Sequence, residues 1–119
     1  MIGIVDDDPA VCKALSRMIR LAGFNVTTFC SPTAFLSEKA VETIDLLILD
    51  VQMPGINGIE LRDRLLASGY ELPVIFITAY ENGDLRQVAL EEGTVAFLKK
   101  PFDEKDLLEA IDKGLRKNL

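Results

Sequence analysis

"DLLILDVQMPG", residues 45–55, is the stretch that decides the fold. Leu46, Leu47, Ile48 and Leu49 run without a break into Asp50, Val51 follows, and Pro54-Gly55 turns the chain. A short continuous apolar run bounded by turn residues reads as a strand buried on both faces. Such strands belong to parallel sheets covered by helices on either side. A carboxylate at the end of one of them needs a reason to be there.

The same alternation repeats along the chain. Residues 2–6, 24–29, 44–50, 73–78 and 95–99 read as strands, each followed by a stretch of helical pattern. The first helix has Asp8 as N-cap, Pro9 at its first position, an apolar stripe of Val11, Ala14, Leu15, Met18 and Ala22, and Gly23 as its stop. The second opens at Ser31-Pro32. The third opens at Asn57, with Glu60 set for a capping box, and the fifth at Asp103, with Leu107, Leu108, Ile111 and Leu115 on one face. The fourth, over 84–92, has the weakest stripe. Strand-helix alternation with right-handed crossovers predicts one doubly wound α/β domain over residues 1–119, with its ligand site beyond the carboxyl ends of the strands.

Composition narrows the chemistry. The chain has 119 residues, enough for one core, with 49% apolar and 27% charged residues, as expected of a globular chain. Its net charge of −6 opposes attraction to phosphate backbones, so no direct nucleic-acid binding is expected. The absence of histidine rules out His-based triads, and no cysteine cluster suggests zinc. Cys12 and Cys30 read as small buried thiols rather than a disulfide. No apolar run is long enough for a bilayer and no basic leader precedes the first strand, so a cytoplasmic location without membrane contact is expected.

Strand one ends in "VDDDP", strand three in "LDVQMPG", strand four in "FITAY" and strand five in "FLKKPF". Taken singly, a strand-end Asp is commonly a turn residue, a Thr a β-former and a Lys a solvated charge. Together, Asp6, Asp7, Asp50, Thr78 and Lys100 fall along one sheet edge. Three carboxylates brought together repel one another unless a cation compensates them, and an oxygen-bound Mg²⁺ ion is the usual solution. With that ion and Lys100 present, Asp50 can act as a nucleophile toward phosphorus. The metal, Lys100 and the Thr78 hydroxyl would then each neutralise one phosphoryl oxygen.

On these motifs the chain resembles the receiver domain of two-component response regulators over essentially its whole length, and most resembles receivers of the nitrogen-fixation regulator type. The resemblance implies a flavodoxin-like (βα)5 fold with strand order 2-1-3-4-5. It implies Mg²⁺ held by Asp6, Asp7, Asp50 and the backbone carbonyl of Gln52, with Asp50 as phosphoacceptor. It further implies Thr78 and Phe97 as the switch pair, Lys100 rather than Lys99 as the site lysine, and a cis bond between Lys100 and Pro101. A sensor histidine kinase is the implied partner, and the face of helix four, strand five and helix five is the implied surface for an output domain or a homodimer. The domain would be no enzyme, only an acceptor that assists its own phosphorylation and dephosphorylation. Thr94 and Ala96 depart from the family pattern, where Ala and Asp are common. The chain is expected to be either a stand-alone receiver or the N-terminal part of a longer regulator.

Three other readings fit less well. A phosphatase resembling the haloacid dehalogenases needs an acid where Gln52 stands, and a flavodoxin-like cofactor binder needs a phosphate loop where "DDDPAV" stands. A receiver-like interaction module without phosphorylation would not need the complete set of acids. Within "MPGINGIE", Gly58 is expected to permit a close backbone approach to the acceptor loop. Gln52 and Tyr80 would flank the route of the hydrolytic water, which favours a phosphorylated state of intermediate to long lifetime.

Overall fold

The strand over Leu46–Asp50 is buried at every residue, and alternate side chains leave it in opposite directions to feed two separate cores. In the computed structural model, which describes residues 1–37, 40–53, 55–79 and 94–116, this strand is β3 of a five-stranded sheet. The others are β1 (Ile2–Val5), β2 (Val26–Phe29), β4 (Val74–Thr78) and β5 (Thr94–Lys99). All are parallel, in the order β2-β1-β3-β4-β5. The expected topology is therefore present. The helix expected over 84–92, Pro54 and Tyr80 lie outside the described residues.

Leu46 and Ile48 of β3 join Ile75 and Ile77 of β4 in one core, closed by α1 (Pro9–Leu21) and by the last helix (Glu104–Arg116). Leu47 and Leu49 join Val74 and Phe76 in the other, closed by α2 (Pro32–Ser37) and α3 (Gly58–Ala67). Period-2 alternation along an apolar strand thus serves two layers at once, which is what double winding requires. On the second face Phe29 and Phe35 meet edge to face, 5.0 Å between ring centres.

The helix ends follow their sequence signals with small differences. Asp8 caps α1 by accepting from the Ala10 N–H at 2.9 Å, Pro9 begins it, and Gly23 leaves it with φ +99°. Its buried stripe is Cys12, Leu15, Ser16 and Ile19, one step round from the expected one, so that Ala14 and Ala22 face solvent. Both stripes obey helical spacing, and turning Ile19 inward buries more carbon than turning in two alanines. Asn57 caps α3 through the Glu60 N–H at 2.9 Å, but the Glu60 carboxylate accepts from the Asn57 side-chain amide rather than its main chain. Strands β2 and β3 begin two residues later than the pattern suggests, and a 3-10 turn at Ala40–Thr43 precedes β3.

Leu107 is fully buried where the last helix meets the sheet, whereas Leu21 at the end of α1 is 79% exposed. Leu107→Ala is expected to lower stability by roughly 2–5 kcal/mol in denaturant unfolding. Leu21→Ala should change it by no more than about 0.5 kcal/mol.

Candidate functional site

Because the strands are parallel, every one of them ends at the same edge of the sheet. β1 runs out into Asp6 and Asp7, β3 ends on Asp50, β4 ends on Thr78, and β5 leads through Lys99 to Lys100. Asp6 is fully buried, Asp50 is 5% exposed and Asp7 is exposed. The three carboxylates present oxygens that lie within 4.8 Å of one another. The Lys100 ammonium reaches into this group, 3.2 Å from Asp6 Oδ2 and 3.8 Å from Asp50 Oδ2.

Backbone groups fix two of the acids, Asp6 and Asp50, in place. Asp6 Oδ1 accepts from the Asp8 N–H at 2.9 Å, and Asp50 Oδ1 accepts from the Gln52 N–H at 3.2 Å. The Lys100 N–H donates to the Thr78 carbonyl at 2.7 Å, so the lysine is tied to the end of β4, and the Lys100-Pro101 bond is cis. Thr78 is fully buried beside these groups, and the Gln52 side chain is exposed. Gly58 packs where a Cβ would stand 2.3 Å from the Asp50 carbonyl oxygen, and its N–H donates to Val51 at 3.0 Å. The close approach expected at this glycine is real, and any side chain there would push α3 away from the acceptor strand.

Burial pushes the Asp50 carboxyl up from 3.8 to about 6, helped by repulsion from Asp6 and Asp7 and opposed by Lys100 and the Gln52 N–H. One ammonium against three acids leaves the pocket with an excess of negative charge. Hard, closely spaced oxygen donors in such a field fit a small divalent cation.

Phe97 reaches the α3 side of the sheet by a shift of register. Val74 pairs with Thr94, but Ile75 pairs with Ala96, so Val95 is an extra residue in β5. Val95 and Ala96 both pack on the α1 side, and Phe97 returns to the α3 side against Phe76, 6.5 Å between ring centres. A bulge of this kind reverses the facing of every later residue in the strand.

Arg62 escapes the sequence reading. It lies on the buried face of α3, 4% exposed, with its guanidinium 5.4 Å from the centre of the Phe76 ring and Nη1 donating to Thr94 Oγ1 at 2.9 Å. Its place among Ile59, Leu61 and Leu65 at helical spacing was the available signal. Cys12 is a buried thiol, pushed up to about 11 chiefly by burial and donating to the Asp6 carbonyl at 3.3 Å. Cys30, expected to be buried, is exposed at the end of β2, where the strand emerges from the core, and both thiols are free.

The raised Asp50 value fixes the sign of a stability change. The folded chain holds this proton more tightly than the unfolded chain, so the stability it contributes is present below about pH 4 and is lost as pH rises toward 6. In metal-free buffer at pH 7, Asp50→Asn is therefore expected to unfold at higher temperature than the parent, by an equivalent of about 1–3 kcal/mol. The gap should close as the pH is lowered from 6 to 4.

Residues 2–112 match the response regulator receiver domain family. The response regulator protein TmoT of Ectopseudomonas mendocina is 40% identical over 98% of this chain and 53% of its own length. The transcriptional regulatory protein FixJ of Bradyrhizobium diazoefficiens is 35% identical over 97% of this chain and 56% of its own. Among solved structures, response regulator StyR is 39% identical with a TM-score of 0.85, covering 98% of this chain and 59% of that one. The FixJ N-terminal structure is 32% identical with a TM-score of 0.87, covering 97% and 92%. The chain spans about half the length of the curated relatives it matches. Among the described residues no helix is long and apolar enough to cross a membrane. A family match that runs from β1 into the last helix, over the same strand ends that carry the acids and the lysine, settles the kinship: the chain belongs to the receiver domains of two-component response regulators.

Proposed function

We propose that Asp50 accepts a phosphoryl group from a sensor histidine kinase in the cytoplasm and that the acidic pocket assists the transfer. The observation that carries this reading is the meeting of three carboxylates within 4.8 Å with the Lys100 ammonium 3.2 Å from Asp6 and 3.8 Å from Asp50. An Asp50 oxygen forms the new bond to phosphorus while the bond from phosphorus to the donor nitrogen breaks, and that nitrogen keeps the electron pair. Lys100 shifts from its carboxylate partners toward a phosphoryl oxygen as charge develops there, and the Thr78 hydroxyl donates to another. Asp6, Asp7, Asp50 and the Gln52 carbonyl would hold Mg²⁺, which supplies charge neutralisation for the remaining oxygen. The chain is then an acceptor that promotes its own modification, over a receiver domain spanning residues 1–119.

Transmission follows from Thr78 and Phe97. A hydroxyl drawn toward a new dianion frees space for the aromatic ring, and the ring's two seats bias the face carrying β5 and the last helix, together with the helix expected over 84–92. That face would meet an output domain or a second copy. Relatives of about twice this length carry the names of response regulators and transcriptional regulatory proteins, which supports an output in transcription.

Acetyl phosphate with Mg²⁺ is expected to add one phosphoryl group by intact mass, and Asp50→Asn should take none; an adduct on the variant would refute the assignment. Lys100→Ala should slow the reaction on the order of 10²-fold while keeping the fold, since its partner in the transition state is a phosphoryl oxygen. Lys99→Ala, on the exposed neighbour, should leave the rate close to that of the parent. Equal losses from the two lysines would overturn the role given to Lys100.

A further inference from the structure

We infer that Arg62 is a positioning residue for the switch: by holding Thr94 and the Phe76 ring it fixes the bulged end of β5 that seats Phe97. This rests on the proposed role of Phe97 as the moving aromatic. The guanidinium bridges α3 to both β4 and β5. It bonds Asp63 on its own helix, with Nε and Nη2 at 3.2 and 3.1 Å, donates to Thr94 Oγ1 at 2.9 Å, and lies 5.4 Å from the Phe76 ring centre. A guanidinium that is 4% exposed needs such partners, and its planar fork can hold several in one fixed geometry.

Thr94 is the residue paired with Val74 immediately before the extra residue Val95. The bulge has a neighbour-pairing alternative: without it, Ala96 would face α3 and Phe97 would face α1. The Arg62–Thr94 bond pins the strand on the near side of the bulge, and the contact of Arg62 with Phe76 steadies the ring on which Phe97 rests, 6.5 Å away. One end of β5 is thus anchored to α3 while the other, at Lys99 and Lys100, adjoins the acidic pocket. A ring that moves between two seats transmits a signal only if the strand carrying it does not slip at its far end.

The test places 4-fluorophenylalanine at Phe97 of the full chain and records its fluorine resonance with Mg²⁺, with and without beryllofluoride, which stands in for the phosphoryl group. The parent should show two distinct positions. Thr94→Val, which keeps the shape and removes the acceptor oxygen, should cut the separation by at least about half as the ring samples both seats in the resting protein. Thr94→Ser should restore it. Arg62→Lys, which keeps a cation but loses the fork, should behave like Thr94→Val. Phosphorylation of Thr94→Val by acetyl phosphate should stay within about twofold of the parent, because the pocket is untouched. A full parental separation in both Thr94→Val and Arg62→Lys, even with lowered melting temperatures, would reduce the contact to a structural one and overturn the inference. A parent whose resonance does not respond to beryllofluoride would instead overturn the role of Phe97 itself.

Discussion

The structure turns on repulsion among three carboxylates that the sheet forces together. Asp50 ends β3 and Asp6 directly follows the neighbouring strand β1, so their separation is set by strand spacing and not by their own preference. Two apolar cores, each built from alternate residues of the same strands, supply the cohesion that holds them there. The compensation is local: an N–H two residues on for each of Asp6 and Asp50, and the ammonium of Lys100 between them. It is incomplete: burial first, and repulsion from Asp6 and Asp7 after it, push the Asp50 carboxyl up against the pull of Lys100 and the Gln52 N–H. A pocket left short of positive charge favours a bound cation.

Holding Lys100 where it can reach both acids places demands on β5. The strand must end beside Thr78, which its pairing with β4 and the bond from Lys100 to the Thr78 carbonyl ensure. It must also present Phe97 to the α3 side, and an unbroken alternation from Thr94 would present it to the other. The extra residue at Val95 reconciles the two demands. Val95 and Ala96 share one face, and the aromatic ring comes round to the Phe76 side three residues before Lys100. A bulge next to a functional site re-aims a side chain without moving the strand's hydrogen-bonded partner.

Much of this was legible in one dimension because the signals were one-dimensional. Continuous apolar runs gave all five strands to within two residues, and "VDDDP", "LDVQMPG" and "FLKKPF" put the acids and the lysine at the ends where a parallel sheet must gather them. Gly58 was readable as a point of close approach because it stands in "MPGINGIE", the turn that brings the next helix back beside Asp50. What escaped depended on pairing. The bulge is a property of β4 and β5 together, and the burial of Arg62 depends on Thr94, thirty-two residues away. The stripe of α1 was misplaced by one step because small residues satisfy helical spacing on two faces, and only packing decides between them.

Charge accounting at the pocket connects the resting geometry to signalling under the proposed function. Three carboxylates and one ammonium leave two negative charges, which one divalent cation would cancel. Adding a phosphoryl group to Asp50 replaces a monoanion with a group carrying close to two charges, so the balanced pocket becomes negative again. In a low-dielectric setting that excess acts strongly on whatever donors can still move. Asp6 is fully buried and held by the Asp8 N–H, so it cannot relax. Lys100, with 23% of its side chain exposed, and the Thr78 hydroxyl at the end of β4 are the donors to which the proposed function assigns that response. Both belong to the seam between β4 and β5, so the response to new charge enters the fold along that seam, at the end opposite the contact between Arg62 and Thr94.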